Sequence, residues 1–144
     1  MNIEELLQKA EAGSCVAQTV LGISYLHGHE VEVDYQKALR FLSAAARQGG
    51  SRATLNLGRM YAKELGVPKN VTEAIRLFEA VGQADDSSDA FAARIELGRI
   101  YSGSSDFPVD VGAALKWYKS AIALTRDRED SEELREARAY IAAQ

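Results

Sequence analysis

AQTVLGISYLHGHEVEVDYQKALRFLSAAARQGGSRA, residues 17–53, decides the fold, because parts of it return twice further along the chain. LGISY at Leu21–Tyr25 comes back as LGRMY at Leu57–Tyr61 and as LGRIY at Leu97–Tyr101. Asp34 with Ala38 comes back as Asn70 with Ala74 and as Asp110 with Ala114. The glycines Gly22, Gly58 and Gly98 stand 36 and then 40 residues apart. A period of this size is one helical hairpin, a unit that buries its apolar side only by stacking on the next.

Within the quoted unit, Ala17, Leu21, Gly22 and Tyr25 share one face of a helix near residues 14–27. Asp34 is a credible N-cap for a second helix near 34–48, whose stripe is Ala38, Phe41, Leu42 and Ala45. In the second unit Ala53, Leu57, Gly58 and Tyr61 match the first face, Gly66-Val67-Pro68 turns the chain, and Asn70 caps with Glu73 as a capping-box acceptor. Ala74, Leu77, Phe78 and Val81 complete that stripe. In the third, Asp85-Asp86-Ser87-Ser88 lengthens the period with polar loop residues, and Ala93, Leu97, Gly98 and Tyr101 restore the register. Ala114, Trp117, Tyr118 and Ala121 follow Asp110, with Trp117 read as packing. A glycine inside a helix costs about 1 kcal/mol against alanine, so its return at Gly22, Gly58 and Gly98 predicts a close helix approach. Asn2 caps a short helix over 3–12, which by position is the second half of an incomplete repeat. A last helix runs over about 130–143, capped by Asp130 or Ser131. The total is seven or eight helices and no strand.

Composition narrows the function. The 17 basic residues are offset by 21 acidic ones, a net charge of −4 that argues against nonspecific nucleic-acid binding. The opening MNIEELLQKAEAG has no basic segment leading an apolar core, and no apolar run approaches the roughly 20 residues of a membrane span. A cytoplasmic location is the expectation. Cys15 is the single cysteine, read as a small buried residue, and His27 and His29 in a turn are too few to build a metal site. Serine, histidine and acid never fall into a nucleophile pattern. No cofactor, metal or catalytic residue is expected.

The three occurrences resemble the Sel1-like repeat family, a branch of the tetratricopeptide-like α/α solenoids. Ala17, Leu21-Gly22, Tyr25, Gly28, Val31, Asp34, Lys37-Ala38, Phe41, Ala45-Ala46 and Gly49 carry the pattern first. Ala53, Leu57-Gly58, Tyr61, Gly66-Val67, Asn70, Ala74 and Phe78 carry it next, then Ala93, Leu97-Gly98, Tyr101, Asp110, Ala113-Ala114, Trp117 and Ala121. Glu30 and Asp106 replace the turn glycine Gly66, and Phe107 replaces the valine, so those two turns are expected to take another path. The resemblance implies an all-α superhelical solenoid of three hairpins with flanking N- and C-terminal helices. It is read as a single domain over 1–144, with repeats at about 14–49, 50–85 and 90–125 and a capping helix at about 130–143. It also implies a non-catalytic adaptor or scaffold that binds proteins.

Stacked hairpins line an inner curve with their first helices. If LG..Y packs inside each hairpin, the neighbouring positions Thr19, Ile23, Arg52, Leu55, Arg59, Ile95 and Arg99 point to that curve. Arg59 and Arg99 beside Ile23, Leu55 and Ile95 suit a peptide with an acidic group or terminal carboxylate and an apolar anchor. Surface arginines or inter-repeat salt bridges are the plainer account of the same residues. Self-association through an exposed repeat end is the alternative function. RNA binding and independent catalysis are weaker readings, for want of interleaved stacking aromatics and of a catalytic cluster.

Overall fold

Short polar caps and left-handed turn residues cut the chain into helices of nearly equal length. The computed structural model describes residues 2–83, 87–104, 106–125 and 130–144. Among them α1 spans Ile3–Glu11, α2 Cys15–His27, α3 Tyr35–Arg47, α4 Ser51–Lys63 and α5 Val71–Gly82. Then come α6 at Ser88–Arg99, a π-helical turn at Ile100–Ser104, α7 at Val111–Ala123 and α8 at Glu132–Ala142. No strand occurs among the described residues, and the fold is the expected all-α hairpin solenoid. The expected polar insertion falls partly on Asp85 and Asp86, outside the described residues; Ser87 caps α6 by accepting the Ala90 N–H at 3.0 Å.

Each full hairpin closes in the same way. The cap's Oδ1 accepts an N–H three residues on: Asp34 from Lys37, Asn70 from Glu73, Asp110 from Ala113, all at 3.0 Å. The cap's own N–H donates back across the turn to the tyrosine carbonyl of LG..Y. These bonds are Asp34 to Tyr25 at 2.9 Å, Asn70 to Tyr61 at 3.0 Å and Asp110 to Tyr101 at 2.9 Å. This explains why the capping box expected at Asn70 forms only one arm. The N–H that Glu73 would receive is already given to Tyr61, and the Glu73 carboxylate pairs with Arg76 instead.

The turns correct one expectation. Glu30 takes the same left-handed backbone as Gly66, with φ of 60° against 73°, so the first turn keeps the path of the second. The two turns share two left-handed positions and fill them in opposite order, Gly28 then Glu30 and Glu64 then Gly66. The third turn does differ. It follows the π-helical turn, and among its described residues the left-handed one is Gly103 at φ 101°. A left-handed non-glycine residue costs roughly 1–2 kcal/mol, part of which glycine forfeits through a freer unfolded chain. Glu64→Gly should therefore raise stability by about 1 kcal/mol in urea titration. No gain would show that the exposed glutamate is held there without strain.

The contacts define two units, Met1–Leu77 and Phe78–Gln144. In the first, α1 packs on α2, α2 on α3, and α4 on both α2 and α3, around Leu6, Leu21, Phe41, Leu42 and Met60. In the second, α6, α7 and α8 enclose Phe91, Ile95, Tyr118, Ala121, Leu134 and Ala137. Trp117 is half-buried, its ring 3.7 Å from the position a Cβ would take on Gly82, as packing. The short α1 is a second-type helix, as expected. It ends with Gly13 donating to Ala10 and Ser14 to Lys9, the same bonds by which Gly49 and Gly50 end α3 on Ala46 and Ala45. The next helix also grips it as α6 grips α5: Gln18 Nε2 donates to the Ala10 carbonyl at 3.1 Å, and Arg94 Nε to the Gly82 carbonyl at 2.7 Å. Cys15 is half-buried, not buried, with Sγ 3.6 Å from the Ala45 carbonyl.

Candidate protein-binding face

Repeat register sets out the face to compare. On α2 a stripe at helical spacing runs Val16, Val20, Ile23, His27; the same positions on α4 are Arg52, Asn56, Arg59, Lys63, and on α6 they begin Ala92, Glu96, Arg99. Burial along these stripes runs against polarity. Val20 is 41% exposed, whereas its polar counterparts Asn56 and Glu96 are 4% and 7% exposed. Val16 is 74% exposed. The opposite face of α2 is already spent on the core through Ala17, Leu21, Tyr25 and Leu26. α2 is thus apolar on two faces with one covered, and a helix apolar all round is normally a covered helix.

Two of the three other exposed valines, Val33 and Val109, have a local explanation; Val111 stands 42% exposed at the start of α7. Val33 lies 3.1 Å from the position a Cβ would take on Gly28, and Val109 stands likewise against Gly103, so both fold over their own turns. Val16 and Val20 have no comparable partner among the described contacts of the fold.

The seven residues expected on the inner curve divide. Leu55 and Ile95 are 2% and 1% exposed and belong to the cores, so they leave the face. α4 packs on both α2 and α3, and α6 on both α7 and α8, and these two side chains fall on the packed arc and not on an open curve. Thr19 is half-buried and its hydroxyl donates to the Cys15 carbonyl at 2.8 Å. Ile23 and Arg59 are half-buried and Arg52 is exposed. Both arginines hold interactions within the chain.

Arg99 has a structural task that its sequence position did not reveal. Its guanidinium holds Glu136 of α8 in a fork, Nε to Oε1 at 3.0 Å and Nη2 to Oε2 at 2.7 Å, with Glu96 at 3.4 Å. The Tyr118 hydroxyl donates to the same carboxylate at 3.2 Å. Hydrogen bonding from Arg99 holds the Glu136 pKa below the usual carboxylate range, and burial pushes Tyr118 up to about 12. This is the inter-helix salt bridge weighed as the plainer account, and it fastens α8 to α6 and α7. A depressed carboxylate pKa contributes stability above its unfolded value, and that contribution is lost as pH falls through the folded value. Glu136→Gln should therefore lower stability at pH 7 and cost progressively less towards pH 3, as read from urea midpoints across pH.

At the C-terminal end of the α2 stripe, burial and neighbouring positive charge both act on His27. Partial burial is the first cause of a lowered His27 pKa, followed by the charges of His29, Arg59 and Lys63. The His27 and His29 rings stand 5.6 Å apart. Among the described residues no group of three or more His, Cys, Asp or Glu side chains is placed to hold a metal. No described helix is long and apolar enough to cross a membrane.

Comparison with known proteins agrees with the repeat geometry. The family model described as Sel1 repeat matches residues 15–50, 51–81 and 92–125. A Sel1 repeat protein from Oxalobacter formigenes superposes with a TM-score of 0.71 at 29% identity, covering 95% of this chain and 97% of that one. A protective antigen present in uropathogenic Escherichia coli strains, displaying an SLR fold, gives a TM-score of 0.78 at 28% identity over 100% of this chain and 33% of its own. Among curated proteins, the rat DAP3-binding cell death enhancer 1 is 38% identical over 74 residues, and the mouse protein of that name is 36% identical over 74. Each of these alignments spans 51% of this chain and 14% of the relative's length.

Proposed function

The chain belongs to the Sel1 repeat family, and from that footing we propose that it is a protein-binding adaptor whose docking face is the outer stripe of α2 beside α4. Family members serve generally as protein-interaction scaffolds. The observation that carries the reading is the exposed Val20, at a register position where later repeats bury Asn56 and Glu96, with the exposed Val16 one turn before it. Covering two valines offers roughly 1.5–3 kcal/mol each at full burial. Ile23 extends the apolar strip, and Arg52 and Arg59 border it. A rodent relative named for binding DAP3 supports a protein as the class of partner.

The test is affinity capture with wild type and the double variant Val16→Asp/Val20→Asp side by side. Both residues are exposed, so helical circular dichroism should be unchanged. A partner retained by wild type and lost by the variant supports the face. An identical set of captured proteins overturns it. Self-association is the second reading, favoured by the same exposed valines. Light scattering that shows a rise in mass with concentration, abolished by the double variant, would replace the adaptor reading with it.

A further inference from the structure

The carboxylate and apolar anchor expected for Arg99 are both present, and α8 supplies them from within the chain. α8 lies against α6 and α7. Its Leu134 and Ala137 are 1% and 0% exposed and Ile141 is half-buried. These three fall at i, i+3 and i+7, the anchor spacing of a helix seated in a groove. Between them Glu136 enters the Arg99 fork and accepts the Tyr118 hydroxyl. The receiving side is built without α8. Phe91 and Ile95 of α6, with Tyr118 and Ala121 of α7, make the apolar floor, and α6 packs directly on α7. Glu96, one turn before Arg99 on the same helix, steadies the guanidinium at 3.4 Å. A positioned arginine beside an apolar floor is a preformed seat for a helix that brings one carboxylate.

We propose that α6 and α7 form a helix-binding site with α8 as its resident occupant, and that a partner helix of the same pattern takes the place of α8. The pattern is a leucine, a glutamate two residues on, then alanine, with an aliphatic residue one turn further. This goes beyond the adaptor reading, since the site lies in the second unit and Val16 and Val20 in the first. α8 is suited to be displaced. It has 11 residues, too few to persist as a helix alone in water, and its buried residues are Leu134 and Ala137. Its fork is about a third exposed on each side. The occupant is a partner and not a second copy, because eight residues, 124–131, tether α8 to α7. A tether of that length gives a local concentration of about millimolar. An identical helix from another copy has no advantage over it, whereas a partner helix extended by further turns does.

The experiment uses the full chain with Glu136→Arg, which sets a second guanidinium against Arg99 and leaves α6 and α7 unaltered. The probe is a labelled synthetic peptide of residues 130–144, read by fluorescence anisotropy. It should bind this variant saturably and wild type at least tenfold more weakly, because there α8 competes. A peptide with Glu136→Gln should bind roughly tenfold more weakly than the unaltered one, and a peptide with Leu134→Asp should not bind. The full chain with Arg99→Glu should reverse the choice and prefer a peptide with Glu136→Arg. If the Glu136→Arg chain is unfolded alone, the peptide should restore its helical circular dichroism. Absence of both binding and restored helicity overturns the site. Equal affinity of the glutamate and glutamine peptides overturns Arg99 as the reader of the ligand. A rise in mass by light scattering when the variant is mixed with wild type, without peptide, gives the groove to a second copy and overturns the partner helix. Val16→Asp/Val20→Asp, added to Glu136→Arg, should leave peptide affinity unchanged. A loss there would place the peptide on α2 and overturn this site while the adaptor reading stands.

Discussion

Gly98→Ala should destabilise the protein by about 2 kcal/mol, although alanine is the better helix former. Propensity alone favours alanine by about 1 kcal/mol. The added Cβ would lie 2.6, 2.7 and 2.8 Å from three ring carbons of Tyr118. That ring cannot step aside easily. It is buried, its hydroxyl is bonded to Glu136, and it rests against Tyr140 with ring centroids 5.1 Å apart. Overpacking of a closed core costs typically 1–3 kcal/mol, and the surrounding restraints put this site at the upper end before the propensity gain is subtracted. Gly22→Ala should also destabilise. Its Cβ would lie 2.5 Å from Leu42 Cγ and 3.2 Å from the Leu42 backbone nitrogen, so turning the side chain leaves the backbone contact in place. Urea unfolding followed by circular dichroism measures both. A neutral or stabilising result at either site would contradict the close approach as the reason for the glycine.

Arg99→Glu should cost about 2–3 kcal/mol at pH 7 and should invert the local pH dependence. Removing one partner from a buried ion pair costs roughly 3–5 kcal/mol, and this pair is about a third exposed on each side, so solvent screening discounts the figure. The new carboxylate would join Glu136 and the nearly buried Glu96. In wild type the depressed Glu136 pKa makes this cluster stabilising above the usual carboxylate value and weaker as pH falls. In the variant, mutual repulsion raises the folded pKa values, so stability is fuller below the unfolded value and is lost as pH rises. The urea midpoint of Arg99→Glu should thus improve on going from pH 7 to pH 4, against the wild-type trend for this contribution. A midpoint unchanged at pH 7 would show that the fork does not fasten α8. Charge reversal at Arg99 also mixes folding with binding, which makes the exposed valines of α2 the cleaner probes of a partner.

The hairpins were legible because their determinants are local and repeated. Asn2, Ser14, Asp34, Asn70 and Asp110 announce helix starts by side-chain chemistry, and Leu21, Gly22 and Tyr25 with their returns announce packing. Glu30 misled because a glutamate is a poor left-handed residue; the hairpin closure between Asp34 and Tyr25 imposes that conformation on it. Leu55 and Ile95 were placed on the face because one helix wheel does not show how many neighbours flank the helix. The fork between Arg99 and Glu136 joins residues 37 apart, and no local pattern links them. Val16 and Val20 had a signal that could have been used. Aligning the repeats on their glycines sets two valines against Arg52 and Asn56, and the contrast at equivalent positions marks where the chain is specific and not merely periodic.

Photo-crosslinking tests the central claim most directly. p-Benzoylphenylalanine in place of Val20, and separately in place of Val109, would be irradiated with the partner isolated by capture. Both positions are exposed, and helical circular dichroism of each substituted protein checks that the fold is kept, at position 109 above all, where the valine lies over the Gly103 turn. The account predicts an adduct to the partner from position 20 and none from position 109, and loss of the position-20 adduct when Val16→Asp is added. An adduct from position 109 with none from position 20 would contradict docking on α2.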